Sequence, residues 1–204
     1  PVLLATGAST LNEVDMAMST LRNQTDDIVL MQCNTNYTAS LENFKYINLN
    51  VLKEYSRRYP DTILGLSDHT PGHATVLGAV TIGARVIEKH FTDDTTREGP
   101  DHKFSMDFNT WKEMVDRTRE LENSLGLEIK KVEDNEKETV ILQRRAIRAK
   151  KDLMAGGIVN KENLEFLRPC PKDALPPYEL EKILGKVLTE DIKSGDYIKW
   201  TSIK

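Results

Sequence analysis

Two short β-rich runs, residues 62–67 and 85–91, each lead to a histidine, and the small-residue stretch 72–83 between them reads as a helix. A strand, a crossover helix and a second strand demand a parallel pair, which leaves both strand ends at the same edge of a sheet. His69 and His90 are therefore predicted to sit side by side. In parallel α/β sheets and barrels, ligands bind beyond the C-terminal ends of the strands. Two imidazoles placed there, with Asp68 and Glu88 close in sequence, make a candidate two-point metal site whose remaining positions are left for water or substrate. The plainer alternative is that each histidine caps its strand and hydrogen-bonds a loop carbonyl.

The preceding chain repeats the same unit. An apolar strand at 2–4 runs into the turn Ala5-Thr6-Gly7, and Thr10 with Glu13 reads as a capping box that opens a helix. Leu11, Val14, Met18 and Leu21 fall at helical spacing and predict one apolar face. Residues 27–32 are almost continuously apolar, as expected of a parallel strand covered on both sides, and end in the polar loop Asn34-Thr35-Asn36-Tyr37-Thr38. Leu49, Leu52, Tyr55 and Tyr59 mark a second helix stopped by Pro60. After the histidine strands comes a loop at 92–107 rich in Asp, Thr and Gly. Asn109 then begins a helix with Trp111, Met114, Thr118, Leu121 and Leu125 on its inner side. Four strand-and-helix units in residues 1–125 define an α/β domain. A closed (β/α)8 barrel contains eight.

The composition changes at 126–141 to a charged, weakly apolar stretch, read as a linker and a domain boundary. Residues 142–204 differ in style. They alternate at 145–149, turn at Ala155-Gly156-Gly157 and at Lys193-Ser194-Gly195-Asp196, carry a helix from Pro176-Pro177 to Leu184, and end in a strand at 197–200. This predicts a small β-rich module.

A formal net charge of −4 argues against nucleic-acid binding, which requires basic excess. No apolar run approaches a membrane span and no signal peptide opens the chain. Cys33 and Cys170 lie far apart, which reads as two reduced thiols in a cytoplasmic protein rather than a disulfide frame. The chain starts at Pro1 directly in an apolar strand and reads as a portion of a longer protein.

Taken in order, Gly65-Leu66-Ser67-Asp68-His69-Thr70, Glu88-Lys89-His90-Phe91-Thr92, Gly99-Pro100-Asp101, Phe104-Ser105-Met106 and Leu167-Arg168-Pro169 resemble the sialic acid synthase family over essentially the whole chain. The resemblance implies a TIM barrel, of which this chain holds the last four β/α units, followed by an antifreeze-like (SAF) domain. It implies condensation of phosphoenolpyruvate with an N-acylmannosamine-type sugar, releasing phosphate, with a divalent metal: manganese, or else magnesium or cobalt. The family's metal-binding and catalytic histidines fall on His69 and His90. By the same resemblance Ser67 holds phosphoenolpyruvate, and Tyr37 and Asp101 contact the sugar. Arg168 matches an arginine that reaches into the active site of a partner subunit, which implies a domain-swapped homodimer. From the residues alone, Asp101 reads first as a loop cap after Gly-Pro, and Arg168 equally as a surface residue stiffened by Pro169.

The chain also departs from the family pattern. Ala5-Thr6-Gly7 stands where relatives have Ser-Thr-Gly, so a phosphate-binding hydroxyl is either missing or supplied by Thr6. Thr35 aligns with an asparagine that holds phosphoenolpyruvate, and Cys170 replaces a glycine. The loop from Gln32 to Tyr37 looks more like the legionaminate branch than the human type. The family's first four strands, with the lysines that clamp phosphoenolpyruvate, have no counterpart, so the 204 residues by themselves are expected to be inactive. The alternative from another class is a non-catalytic carbohydrate-binding module on an α/β scaffold. Synthases of shorter keto acids lack the appended segment, which argues against them.

Overall fold

The structure, a computed structural model, describes residues 1–204 and divides into two compact units, Pro1–Leu127 and Glu128–Lys204. In the first unit, four strands alternate with four helices: β1 (Val2–Ala5), α1 (Leu11–Arg22), β2 (Ile28–Cys33), α2 (Val51–Arg58), β3 (Ile63–Asp68), α3 (Ala74–Ile82), β4 (Val86–Lys89) and α4 (Phe108–Leu125). All strand pairs are parallel and the order is β1-β2-β3-β4, a curled half of a (β/α)8 barrel.

Local chemistry sets the helix boundaries. Thr10 and Glu13 form the expected capping box at α1, with the Thr10 amide donating to Glu13 at 2.7 Å. Asp107 does the same for α4, accepting from the Thr110 amide at 2.8 Å, so this helix begins at Phe108. Helix α3 stops at Gly83, whose φ of 115° returns its N–H to the carbonyls of Ala79 and Val80.

Because side chains alternate along a strand, each sheet face has its own set of residues. Leu4, Leu30, Leu64 and Leu66 pack against Val14, Met18, Leu52, Tyr55, Val76 and Met114 of the helices, forming the core. On the other face, one row holds Leu3, Val29 and Ile63, and the row nearest the C-terminal edge holds Cys33, Ser67 and Glu88. Leu3 and Ile63 are about half exposed there. All six β2 residues are buried, as the continuous apolar run requires. Two predicted inward positions differ: Leu11 and Leu125 are exposed, lying in the first and last turns of their helices.

The second unit has a core of its own around Ile147, Val159, Leu175, Ile183 and Ile198. Strands β5 (Ala146–Ala149) and β6 (Leu164–Leu167) are antiparallel, and isolated bridges such as Leu153 with Ile192 tie the remaining turns. The stretch read as linker is partly structured. A 3-10 turn at Asp134–Glu136 leads into helix α5 (Lys137–Gln143), and the Ile141 carbonyl accepts from the Cys170 amide at 2.9 Å. The predicted helix at 177–184 is a 3-10 turn, Pro177–Glu179, followed by the single turn α6 (Leu180–Ile183). No final strand forms at 197–200: Tyr197 makes one bridge to Arg148, and Trp200–Ser202 is a 3-10 turn.

Candidate active site

Strands β3 and β4 end in register at Asp68 and Lys89, so the residue after each, His69 and His90, stands at the same edge. Their ring centroids are 5.1 Å apart with planes at 65°. The two-residue alternation groups Ser67 with His69 and Glu88 with His90 on the inner face of the half-barrel. His69 is buried, and its Nδ1 lies 2.9 Å from the Asn34 carbonyl. A carbonyl oxygen only accepts, so Nδ1 carries the proton and Nε2 keeps a free lone pair. The Nδ1 of His90 lies 3.6 Å from the Asp101 carboxylate, beyond hydrogen-bond reach.

Two further aromatic rings enclose the imidazoles. Phe104, fully buried, lies 5.0 Å from His90 and 6.0 Å from His69 between centroids. Tyr37, on the loop after β2, lies 4.2 Å from His69 and 5.7 Å from His90. The 92–107 loop holds Phe104 in place through the strand end: Met106 donates its amide to the His90 carbonyl, and Thr92 donates to the Met106 carbonyl, both at 2.9 Å. Ser105 donates its hydroxyl to the Asp101 carbonyl at 2.7 Å, fixing the backbone that carries the Asp101 carboxylate.

Ser67 is buried beside Cys33, and Glu88, next in the same row, is exposed. Burial pushes the Cys33 thiol up, against a smaller opposite pull from the Ser67 hydrogen bond, so it is protonated at neutral pH. Thr35 lies on the lip of a cleft of about 360 Å³ lined also by Ala8, Cys33, Asn34, Asn36 and Tyr37, a volume within the range of small-molecule sites. Gly7 lies directly beneath: a Cβ there would come 2.2 Å from the Thr35 methyl.

Three sequence expectations are corrected or separated. Thr6 does not reach the site. The alternation turns it to the helix face, where its buried hydroxyl donates to the Met31 carbonyl at 2.9 Å and receives the Tyr55 hydroxyl at 3.0 Å. Asp68 also faces away from the imidazoles, toward α3, and is paired with Lys89 at 2.5 Å. Arg168 is exposed and belongs to the second unit. The residues that the first unit brings together are therefore Tyr37, Ser67, His69, His90 and Asp101, with Thr35 at the rim. Sequence reasoning missed the site role of Phe104, although it lies in one of the quoted motifs, and the whole Asp68–Lys89 pair. The period-two alternation could have revealed the pair.

The donor set fits a divalent transition ion. Two imidazoles bound to one ion at about 2.1 Å per bond bring their centroids to roughly 5 Å, close to the spacing observed here. No group of three or more His, Cys, Asp and Glu converges in this chain, so the two imidazoles are the ligands it would supply. Imidazole nitrogen suits the later first-row ions such as cobalt better than manganese or magnesium, which favour oxygen, so a manganese ion held by these two rings would fill its remaining positions with oxygen from water or substrate.

The sequence model of the NeuB family matches residues 1–130, more than half of the chain. The chain belongs to the NeuB family. A SAF domain model matches residues 144–204. The chain is 36% identical over 209 residues to the N,N'-diacetyllegionaminic acid synthase of Legionella pneumophila, covering 100% of this chain and 57% of that protein. It is 35% identical to the pseudaminic acid synthase of Campylobacter jejuni, covering 98% and 56%. Among solved structures, the N-acetylneuraminic acid (sialic acid) synthetase of Leptospira borgpetersenii in complex with citrate matches with a TM-score of 0.59 at 27% identity, over 68% of this chain and 47% of that one. This NeuB chain thus spans a little over half the length of these curated relatives. None of its helices is long and apolar enough to cross a membrane.

Proposed function

We propose that the chain carries the metal- and sugar-binding part of a sialic (nonulosonic) acid synthase. The enzyme condenses phosphoenolpyruvate with an N-acylmannosamine-type sugar to give a nine-carbon 2-keto sugar acid and phosphate, with N-acetylneuraminate or legionaminate as product. The names of the relatives support the class of enzyme. The observation that carries the reading is the His69–His90 pair, two rings 5.1 Å apart at adjacent strand ends, with the Nδ1 of His69 committed to a carbonyl.

A divalent ion held by these two histidines would supply Lewis-acid polarisation of the sugar's aldehyde oxygen. The chain's own residues orient the reactants. The ring of Tyr37 packs over His69 and borders the sugar, and the Asp101 carboxylate accepts hydrogen bonds from sugar hydroxyls. Ser67, on the inner face two residues before His69, donates to phosphoenolpyruvate, and Thr35 borders the same space. Phe104 keeps water from the inner side of the imidazoles. Carbon 3 of phosphoenolpyruvate bonds to the aldehyde carbon, and the aldehyde oxygen takes up a proton to become a hydroxyl. Water adds at carbon 2, and breakage of the carbon 2–oxygen bond expels phosphate and leaves the ketone.

The exposed Arg168 is assigned to the sugar site of a second subunit in a cytoplasmic homodimer. The cationic groups that clamp phosphoenolpyruvate are assigned to the part of the relatives this chain does not span. The test is phosphate release from phosphoenolpyruvate with manganese, run on the full gene product and on the 204-residue chain. N-acetylmannosamine and the 2,4-diacetamido-6-deoxymannose precursor of legionaminate are offered separately. Release with one sugar is expected from the full product, and none from the 204 residues. No release with either sugar from folded, metal-loaded full product would overturn the reading in favour of a carbohydrate-binding module.

A further inference from the structure

Behind the two histidines, on the opposite face of the same strands, lies a closed polar cluster. The side chains of Asp68 and Lys89 are 0% and 1% exposed. Lys89 Nζ donates to Asp68 Oδ2 at 2.5 Å and to the Thr70 carbonyl at 2.6 Å. Thr75, in the first turn of α3, donates to Asp68 Oδ2 at 2.6 Å, and the Thr70 amide donates to Oδ1 at 3.1 Å. Thr70 Oγ1 also contacts both Asp68 oxygens and Thr75 Oγ1, at 2.9–3.0 Å. A charge pair removed from water is a weak source of stability, since apolar residues of like volume do as well or better. What the pair does supply is direction. It bolts the last residue of β3 to the last residue of β4 in register, and it fixes the loop carbonyl just beyond His69.

We infer that the Asp68–Lys89 pair is a positioning device that sets the separation and orientation of His69 and His90. Each imidazole is covalently next to one member of the pair, and the pleat turns imidazole and charge to opposite faces. Tension or slack in the ion pair is therefore transmitted to the rings through one peptide unit on each strand. Thr75 and Thr70 complete the clamp by holding the Asp68 carboxylate in one rotamer. For metal binding this inference rests on the synthase reading above; for ring geometry it does not.

The test uses Asp68→Leu/Lys89→Met, which removes both charges at similar volume, and Thr75→Val, which keeps the ion pair and removes one tie. Each is compared with the wild-type full gene product by thermal melting, by manganese binding followed through electron paramagnetic resonance, and by the long-range imidazole ¹⁵N spectrum. In the double variant we expect a lowered but still cooperative melt, because the Thr70 amide and Thr75 hydroxyl lose their buried acceptor, with manganese affinity weakened about 10- to 100-fold and loss of the distinct Nδ1–H signature of His69. Thr75→Val is expected to shift the same imidazole signals by less. A folded double variant with wild-type imidazole spectrum and manganese affinity would overturn the inference. Should the double variant not fold, unchanged imidazole signals in Thr75→Val would overturn it. If the wild type binds no manganese, the metal reading fails by itself, and the imidazole spectra still decide whether the pair positions the rings.

Discussion

The ring of Tyr37 lies 4.2 Å from that of His69, centroid to centroid, so a residue of the β2 loop covers an imidazole at the end of β3. An aromatic contact of this kind contributes about 0.5–1.5 kcal/mol beyond buried area. Tyr37→Ala is therefore expected to raise the sugar KM by roughly 2- to 10-fold. Tyr37→Phe, which keeps the ring, isolates the hydroxyl: a several-fold rise in KM at unchanged kcat identifies it as a sugar contact. Steady-state kinetics on the full gene product measures both.

His69→Ala and His90→Ala are each expected to abolish metal-dependent turnover while the far-ultraviolet circular dichroism stays that of the wild type. The removed His69–Asn34 hydrogen bond is worth about 1 kcal/mol, too little to unfold the domain. Undiminished activity in either variant would remove the metal site.

Asp101→Asn keeps the shape of the side chain and removes the charge that faces His90 at 3.6 Å. A hydrogen bond to a charged group is worth about 1.5–3 kcal/mol, so the sugar KM is expected to rise by tenfold or more. The circular dichroism should not change, because Ser105 still holds the Asp101 carbonyl. A KM within twofold of wild type would return Asp101 to a loop-capping role.

Leu66 is fully buried at the centre of β3. Leu66→Ala leaves a cavity between sheet and helices and is expected to destabilise the first unit by about 2–5 kcal/mol. A urea titration of the full gene product reads this as a lower midpoint with an unchanged slope.

Arg58 and Tyr59 donate hydrogen bonds to Asp15, which joins α2 to α1. These contacts, Arg58 first, hold the Asp15 carboxyl below the usual carboxylate range. A carboxyl with a lowered folded value stabilises the fold fully above the unfolded value of about 3.9 and loses that contribution as pH falls through the folded one. Thermal melts of wild type and Asp15→Asn should therefore differ most at neutral pH and converge below about pH 4.

The architecture of the first unit was legible because each of its signals is local. The capping box at Thr10, the apolar run of β2 and the crossover between the histidine strands are read within a few residues, and all three appear. The adjacency of His69 and His90 followed from topology alone. Thr6 was misplaced because a motif names a position without saying which face of the strand it takes. Its hydroxyl is satisfied by Met31 and by Tyr55 of α2, partners 25 and 49 residues away. Asp68 was drawn toward the metal by sequence proximity, and its charge partner, Lys89 of β4, lies 21 residues away, outside any local window. In the second unit, bridges between distant turns replace regular ladders, so the expected strand at 197–200 shrank to a single pairing at Tyr197.

The pleat that sets Ser67, His69, Glu88 and His90 on one face and Asp68 and Lys89 on the other interleaves two inheritances along the same short segments. Evolution or a designer can vary Tyr37, Ser67 and Glu88 to reshape the face beside the imidazoles while Asp68, Thr70, Thr75 and Lys89 stay fixed. Such a library moves through chemistry without leaving the folded population. The reverse library, one position along, leaves the site face alone and loosens the clamp on which the imidazoles stand.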